Sequence, residues 1–220
     1  MEDRLDLILE QLKGKASAKQ EVYRDAVVVF ERTKKLAAEI TEELAAKMAE
    51  VDKHVFVKFR DIGKFEFQIK FSGDLLIFSM HSNTVIFPDE HVINKNPYIL
   101  EDLSRRFFGA MTVYNFLDDS LKYKRMNDPG YLVGRMFVNR DEHFYIEGVK
   151  QLNFLYPDIS QNNLSDEILR VFVESCMIAA LEIDSSMPPF EKEKVISVGH
   201  KLSQNMLGNV QKVGFKIGDS

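Results

Sequence analysis

The segment Lys64-Phe65-Glu66-Phe67-Gln68-Ile69-Lys70-Phe71 alternates polar and apolar side chains over all of its positions. Successive side chains of an extended strand point to opposite faces, so this pattern predicts a strand with one apolar and one polar face. A sheet that buries only one face is typical of antiparallel architectures. We therefore predict an antiparallel strand at residues 64–71.

Strand-like segments flank this one on both sides. Turn signals at residues 61–63 and 72–74 connect it to predicted strands at residues 55–60 and 75–80, which gives a three-stranded meander. Thirteen of the 17 phenylalanines fall between Phe56 and Phe154, and we expect the core in this part of the chain. Further along, the pattern predicts strands at 107–117, 131–139 and 143–149, shorter candidate strands at 84–87 and 153–156, and a helical turn at 97–104.

The chain before and after the predicted sheet has helical periodicity. From Val22 to Val51 apolar residues recur at steps of three, four or seven without a glycine or proline, which predicts a helix of about 35 residues. A short apolar face at Leu5, Ile8, Leu9 and Leu12 precedes it, and Gly14 predicts a break or kink between the two. Near the C-terminus, Ser165 is a good N-cap for a helix to about Ile183, and a last helix is predicted at residues 191–207.

These elements predict an α+β fold with a long N-terminal helix, one antiparallel sheet of about six strands and two C-terminal helices. The long helix should span roughly 50 Å, which exceeds the width of a domain of this size. It could pair with a second copy of the chain or pack lengthwise on its own sheet, and the sequence leaves both arrangements open. We divide the chain into a helical arm of residues 1–53, a candidate for self-association, and a single α+β domain of residues 54–220.

The order of these elements resembles the PAS/GAF or profilin-like sensor architecture. The resemblance lies in a six-stranded antiparallel sheet with a mid-chain helical crossover and a long helix at its N-terminus. It carries no motif, so it implies a type of fold and assigns no residue roles.

Composition and motifs exclude several classes of function. The chain has 29 basic and 34 acidic residues, and its net charge of −5 argues against a dedicated nucleic-acid binder. Its single cysteine, Cys176, excludes disulfide scaffolds and multi-thiolate metal sites, and we predict that this side chain packs in the core. P-loop, Rossmann and nucleophile-elbow motifs are absent, and we predict no catalytic residue, no metal and no cofactor.

The N-terminal sequence and the hydropathy pattern bear on localisation. The first residues are charged and lack the apolar core of an export signal, and the apolar stretches fall far short of the ~20 residues of a membrane helix. We therefore expect a cytoplasmic protein without membrane contact.

Arg135 is the most notable polar residue on a predicted strand. The odd positions of residues 131–139 should share a face, which places Arg135 beside aromatic and branched side chains. On the adjoining strand His143, Tyr145 and Glu147 share a face. These four residues are a candidate ligand-binding site, in which the guanidinium would bind an anion. A cross-strand ion pair between Arg135 and Glu147 on the solvent face is the favoured alternative.

The run Lys122-Tyr123-Lys124-Arg125 combines three basic side chains with an aromatic one. Such a cluster could contact phosphate or an acidic partner. Because Asp118 and Asp119 lie close in sequence and offset this charge, we predict a solvated loop instead.

Two functional hypotheses follow. The first is a non-catalytic intracellular binding or protein-interaction module that forms a homo-oligomer through its N-terminal helix or binds a protein partner. The alternative is a ligand sensor or small-molecule enzyme with a site on the sheet around Arg135, His143 and Tyr145.

Overall fold

A computed structural model describes residues 4–186 and 214–216. The N-terminal helices α1 and α2 are followed by a sheet of six strands, β1 to β6, and by the helix α5, with α3 and α4 as short helices between strands. The elements are α1 (Arg4–Gln11), α2 (Ser17–Val51), β1 (Val57–Gly63), β2 (Glu66–Phe71), β3 (Asp74–Met80), α3 (Pro97–Glu101), β4 (Gly109–Leu117), α4 (Asp118–Lys122), β5 (Tyr131–Val138), β6 (Phe144–Gly148), α5 (Asp166–Leu181), β7 (Asp184–Ser186) and β8 (Gly214–Lys216).

The six strands form one antiparallel sheet in which neighbours in space are also neighbours in sequence. Strand β2 has the predicted alternation, with Phe67 and Ile69 fully buried in the main core. Helix α5 begins as predicted, because the Ser165 hydroxyl accepts a hydrogen bond from the Ile168 amide at 3.3 Å. The predicted α+β fold is confirmed, and the predicted helix at residues 191–207 lies outside the described residues.

The candidate strand predicted at residues 153–156 is wrong. After β6 the chain turns at Lys150, which has a φ of +51°, and residues Lys150–Phe154 form a 3₁₀ helix. This turn places Leu152 in the core beside Gly134 and Gly148, and a Cβ at Gly148 would approach the Leu152 Cβ to 2.6 Å. The missing glycine side chains therefore provide the space for Leu152. At the other short candidate, residues 84–87, only an isolated bridge joins Val85 to Phe108.

Helix α2 packs lengthwise on the sheet of its own chain, so the second predicted arrangement describes its central part. Phe30 is fully buried, and its ring lies 5.3 Å from that of Phe67, which stacks on Phe78 at 4.5 Å. The buried residues of α2 all fall between Ala18 and Thr41. The division of the chain into residues 1–53 and 54–220 stays a prediction.

Helix α2 comes close to the sheet at Ala26, beside the first residue of β4. A Cβ placed on Gly109 would overlap the Ala26 side chain. Two small residues thus let the helix axis come close to the strand, which allows the larger side chains on either side to interdigitate.

Helix α5 lies beside α2 on the same face of the sheet. Two ion pairs join the helices, one from Arg32 to Asp166 and one from Arg170 to Glu43, each with a closest distance of 2.8 Å. Cys176 on α5 is fully buried, and burial raises the pKa of its thiol, as expected of a packing cysteine.

The opposite face of the sheet is covered over β4 to β6 by the segment that connects β3 to β4. Phe87 is the centre of this second cluster, with its ring 5.3 Å from Phe108, 4.7 Å from Phe137 and 5.8 Å from Tyr145. Both faces of this half of the sheet are therefore apolar. No helix in the described part of the chain is both long and apolar enough to cross a bilayer.

The predicted face assignment in β5 is wrong at Val133. The register with β4 shifts between Val113 and Tyr114, where the partners change from Gly134 to Leu132 and Val133 is left unpaired. This bulge turns Val133 into the main core, whereas Phe137 packs on the opposite face of the sheet. Alternation alone cannot show such an extra residue.

We expect Phe30→Ala to lower the free energy of unfolding by about 3–5 kcal/mol, because the substitution leaves a cavity between α2 and the sheet. The exposed neighbour Val28 is the matched control, and Val28→Ala should change the value by about 0.5 kcal/mol or less. Urea unfolding followed by circular dichroism measures both variants. Equal effects of the two substitutions would contradict the packing of α2 described above.

Candidate functional site

The structure pairs Arg135 with Glu147, as the predicted register requires. The two residues are direct partners across β5 and β6, and their side chains form an ion pair. On the other side of the carboxylate, His91 Nε2 lies 3.5 Å from the second oxygen of Glu147. The guanidinium of Arg135 also lies 5.4 Å from the centre of the Phe137 ring. Arg135 and Glu147 thus serve as each other's main polar partners.

Tyr145 lies beside this pair and packs among aromatic rings. Its ring is nearly perpendicular to that of His91, at 5.9 Å, and to that of Phe87. Burial is the main cause that raises the pKa of the Tyr145 hydroxyl, with the nearby Glu147 carboxylate adding to it. The hydroxyl therefore stays protonated through the physiological range.

His143 belongs to a different cluster. Its Nδ1 lies 2.8 Å from the carbonyl oxygen of Ile159, and its ring stacks on Tyr98 at 4.4 Å. The candidate site of four residues is thus divided, with Arg135, Tyr145 and Glu147 around His91 and with His143 around Tyr98. The ligand-binding role of the four residues stays a prediction.

Tyr98 holds the segment before β4 against the β5–β6 hairpin. Its hydroxyl donates to Asp141 and accepts from the Asn139 amide, each at 3.0 Å, while the Arg105 guanidinium lies over its ring at 4.3 Å. The Tyr98 ring therefore lies between an arginine and the imidazole of His143. The sequence allows His91 as a further member of the candidate site on the sheet, but it gives no signal for Tyr98, which lies in a segment without regular periodicity.

Helix α1 presents an apolar surface. Ile8, Leu9 and Leu12 recur at steps of one, three and four, and these side chains are 54%, 46% and 54% exposed. Among residues 4–16 none is buried. The predicted break at Gly14 is a π-helical turn over Leu12–Ala16, so the helix continues from α1 into α2. Such turns often mark functional sites.

A groove of about 660 Å³ lies between this π-helical turn and the segment that precedes β4. Its charged lining is mostly basic, since four basic side chains accompany two acidic ones. The basic residues are Lys13, Lys15, Arg106 and Arg140, and the acidic ones are Glu21 and Asp102. The Arg140 guanidinium is held by Glu21 at 3.1 Å and by the Ser104 hydroxyl at 2.9 Å. This groove adjoins the exposed apolar face of α1.

The prediction of a solvated loop at residues 122–125 is wrong for Arg125, whose side chain is only 6% exposed. Asp118 forms its ion pairs with Lys70 of β2 and Arg60 of β1. A hydrogen bond with Tyr123 is the main cause that raises the pKa of Lys122, and the charges of Asp119 and Asp118 also help to raise it. Within the described residues no group of three or more histidine, cysteine or acidic side chains is placed to hold a metal ion.

The high pKa of Tyr98 gives a test of its network. Burial and the hydrogen bond to Asp141 raise the pKa of Tyr98 to about 12, above the value of about 10 for a free tyrosine. Protonated Tyr98 therefore stabilises the folded state. This stabilisation is complete below pH 10 and is lost as the pH rises through about 12. We expect Tyr98→Phe to remove the step at the highest pH from an absorbance titration of the tyrosines. The free energy of unfolding of this variant should also fall less steeply between pH 10 and about 12.

Tyr114→Phe, at a more exposed tyrosine on β4, is the control and should leave that step in place. A late step that persists in Tyr98→Phe would show that another tyrosine causes it.

Comparisons with known proteins identify no relative of this chain. No family model matches the chain. Searches of curated proteins and of solved structures likewise give no match.

Proposed function

We propose that this protein is a non-catalytic interaction module that forms a homodimer through α1. The observation that carries this proposal is the exposed apolar surface of Ile8, Leu9 and Leu12 on a helix that contributes no buried residue to its own fold. Exposed apolar side chains that cluster on one face of a helix typically mark a contact surface.

The charges of the N-terminal helix favour a second copy of the chain as the occupant of this surface. Residues 4–10 carry one basic and two acidic side chains, whereas residues 11–16 carry two basic ones. In an antiparallel pair, Asp6 and Glu10 of one copy would face the basic half of the other. A two-fold axis makes this contact twice, as in most soluble homodimers.

The basic groove beside the π-helical turn supports the same pairing. Lys13 and Lys15 line it from the helix, and Arg106 lines it from the segment before β4. The acidic half of a partner helix would find complementary charge there, and complementary charge favours the correct register.

The polar groups on the sheet support a non-catalytic role. A catalytic base or an anion-binding guanidinium needs hydrogen-bonding atoms that are free to contact a substrate. Glu147 instead forms an ion pair with Arg135, and His91 lies against its other oxygen. A ligand-binding role of Arg135, His143, Tyr145 and Glu147 remains the alternative proposal. We also propose a cytoplasmic location, since the single cysteine is buried and has no second cysteine in the chain with which to form a disulfide.

Sedimentation analysis of the full chain tests the proposed dimer. The unmodified chain should dimerise, and Leu9→Glu should weaken the dimer at least about 100-fold, because each buried leucine contributes about 1.5–3 kcal/mol and a symmetric interface contains it twice.

Leu7→Glu is the matched control. Leu7 is 47% exposed, close to the 46% of Leu9, but it lies about 160° around the helix axis. The Leu7→Glu substitution should leave the dimer intact. Neither substitution should change the midpoint of thermal unfolding of the monomer, because both side chains are exposed there. A monomeric unmodified chain, or equal dissociation by both variants, would overturn the proposal.

A further inference from the structure

A small pocket lies at the turn between β4 and β5. Its volume is about 270 Å³, and its lining combines apolar and charged side chains. The lining residues are Phe116, Ser120, Leu121, Lys124, Arg125, Met126 and Asp128. It is distant in sequence from the surface of α1 and from the candidate residues on β6.

Arg125 is the unusual member of this lining. Its side chain is more than nine-tenths buried, yet its Nε and Nη2 atoms have no hydrogen-bond acceptor within the described structure. Burying an N–H group without an acceptor costs free energy, and the cost is higher for a charged group. Both atoms are covered by protein, so an acceptor that enters from the pocket must displace neighbouring side chains to reach them, and its hydrogen bonds would remove this cost.

The two unpaired atoms form one edge of the guanidinium. Nε and Nη2 donate in parallel, and this edge matches the two oxygens of a carboxylate or phosphate. In Arg32 the same edge is filled by Asp166, and in Arg170 it is filled by Glu174 and Glu43. The Arg125 edge is equivalent in geometry but has no carboxylate against it.

Nearby acidic groups do not take this place. Asp128 lies 3.7 Å from Nη1 on the other side of the guanidinium, and the same Asp128 oxygen accepts the Ser120 hydroxyl at 2.7 Å. Asp118 is engaged by Lys70 and Arg60. The exposed Lys124 adds a second positive charge at the pocket, so its basic side chains outnumber its acidic one.

From these contacts we propose that the pocket binds a small oxyanion, a phosphate monoester or a carboxylate, through the Nε–Nη2 edge of Arg125. The site is independent of the proposed dimer. Phe116, Leu121 and Met126 line the same pocket and would hold an apolar group attached to the anion. A volume of 270 Å³ lies just below the usual range for ligand pockets, about 300–1,000 Å³, and therefore suits a small molecule.

Phenyl phosphate and benzoate test the proposal, because they share an apolar ring and differ in the oxyanion. Inorganic phosphate tests the anion alone. Titrations of the full chain at constant ionic strength, followed by the NMR signal of the arginine Nε–H groups, should show saturable binding of at least one ring compound with a shift of the Arg125 signal. The stronger of the two ring compounds identifies the phosphate or the carboxylate as the preferred anion.

The variants distinguish binding through the Nε–Nη2 edge of Arg125 from general attraction by positive charge. Arg125→Lys keeps the charge and removes the paired donors, so we expect affinity to fall at least about tenfold. Lys124→Glu changes an exposed residue and should also weaken binding while the fold stays intact, which keeps the test valid if Arg125→Lys unfolds. Lys47→Gln removes an exposed charge on α2 and should leave affinity unchanged.

Absence of saturable binding of all three probes to the unmodified chain would overturn the proposal. Affinity that is equal in the unmodified chain, Arg125→Lys and Lys124→Glu would overturn it as well, because the anion would then bind elsewhere.

Discussion

The packing of α2 against the sheet is the contact on which the rest of the structure depends. Phe30 packs against Phe67 of β2, which stacks on Phe78 of β3, and the small pair Ala26 and Gly109 sets how close the helix can come. Helix α2 covers part of one face of the sheet, and α5 packs beside it on the same face. Without α2 the apolar side of β2, which contains Phe67 and Ile69, would face water.

The length of the helical segment explains why part of it is available for contacts. The buried residues of α2 run from Ala18 to Thr41, which corresponds to about 36 Å of helix. The helix nevertheless begins at Arg4, because the π-helical turn at Leu12–Ala16 continues the backbone past the edge of the core. The inserted residue rotates α1 relative to α2, so the apolar face of α1 does not follow the face that α2 buries.

Regular periodicity allowed most of the fold to be predicted from the sequence. The uninterrupted pattern up to Val51 gave α2, the alternation around Phe67 gave β2, and the N-cap at Ser165 gave the start of α5. These signals are local, since each depends on the spacing of side chains within one element.

The features that could not be predicted depend on contacts between distant parts of the chain. Leu152 enters the core because Gly134 and Gly148 leave room for it, and Val133 turns inward at a bulge that is defined by the partner strand. His91 approaches Glu147 only because Phe87 is anchored on the second face of the sheet. The burial of Arg125 has the same origin, because the sequence shows three basic residues within four positions but cannot show which one turns inward.

The groove beside the π-helical turn and the pocket of Arg125 lie towards opposite ends of β4. Its first residue, Gly109, contacts α2 next to Ala26, close to the groove of the π-helical turn, whereas its last residue, Leu117, leads into α4 and the pocket of Arg125. A strand of this length spans about 27 Å. Strand β4 is hydrogen-bonded on both sides, to β3 and to β5, so it cannot slide without breaking both ladders. Because the register of β4 is fixed in this way, we expect an anion at the proposed Arg125 site to leave the proposed pairing of α1 unchanged.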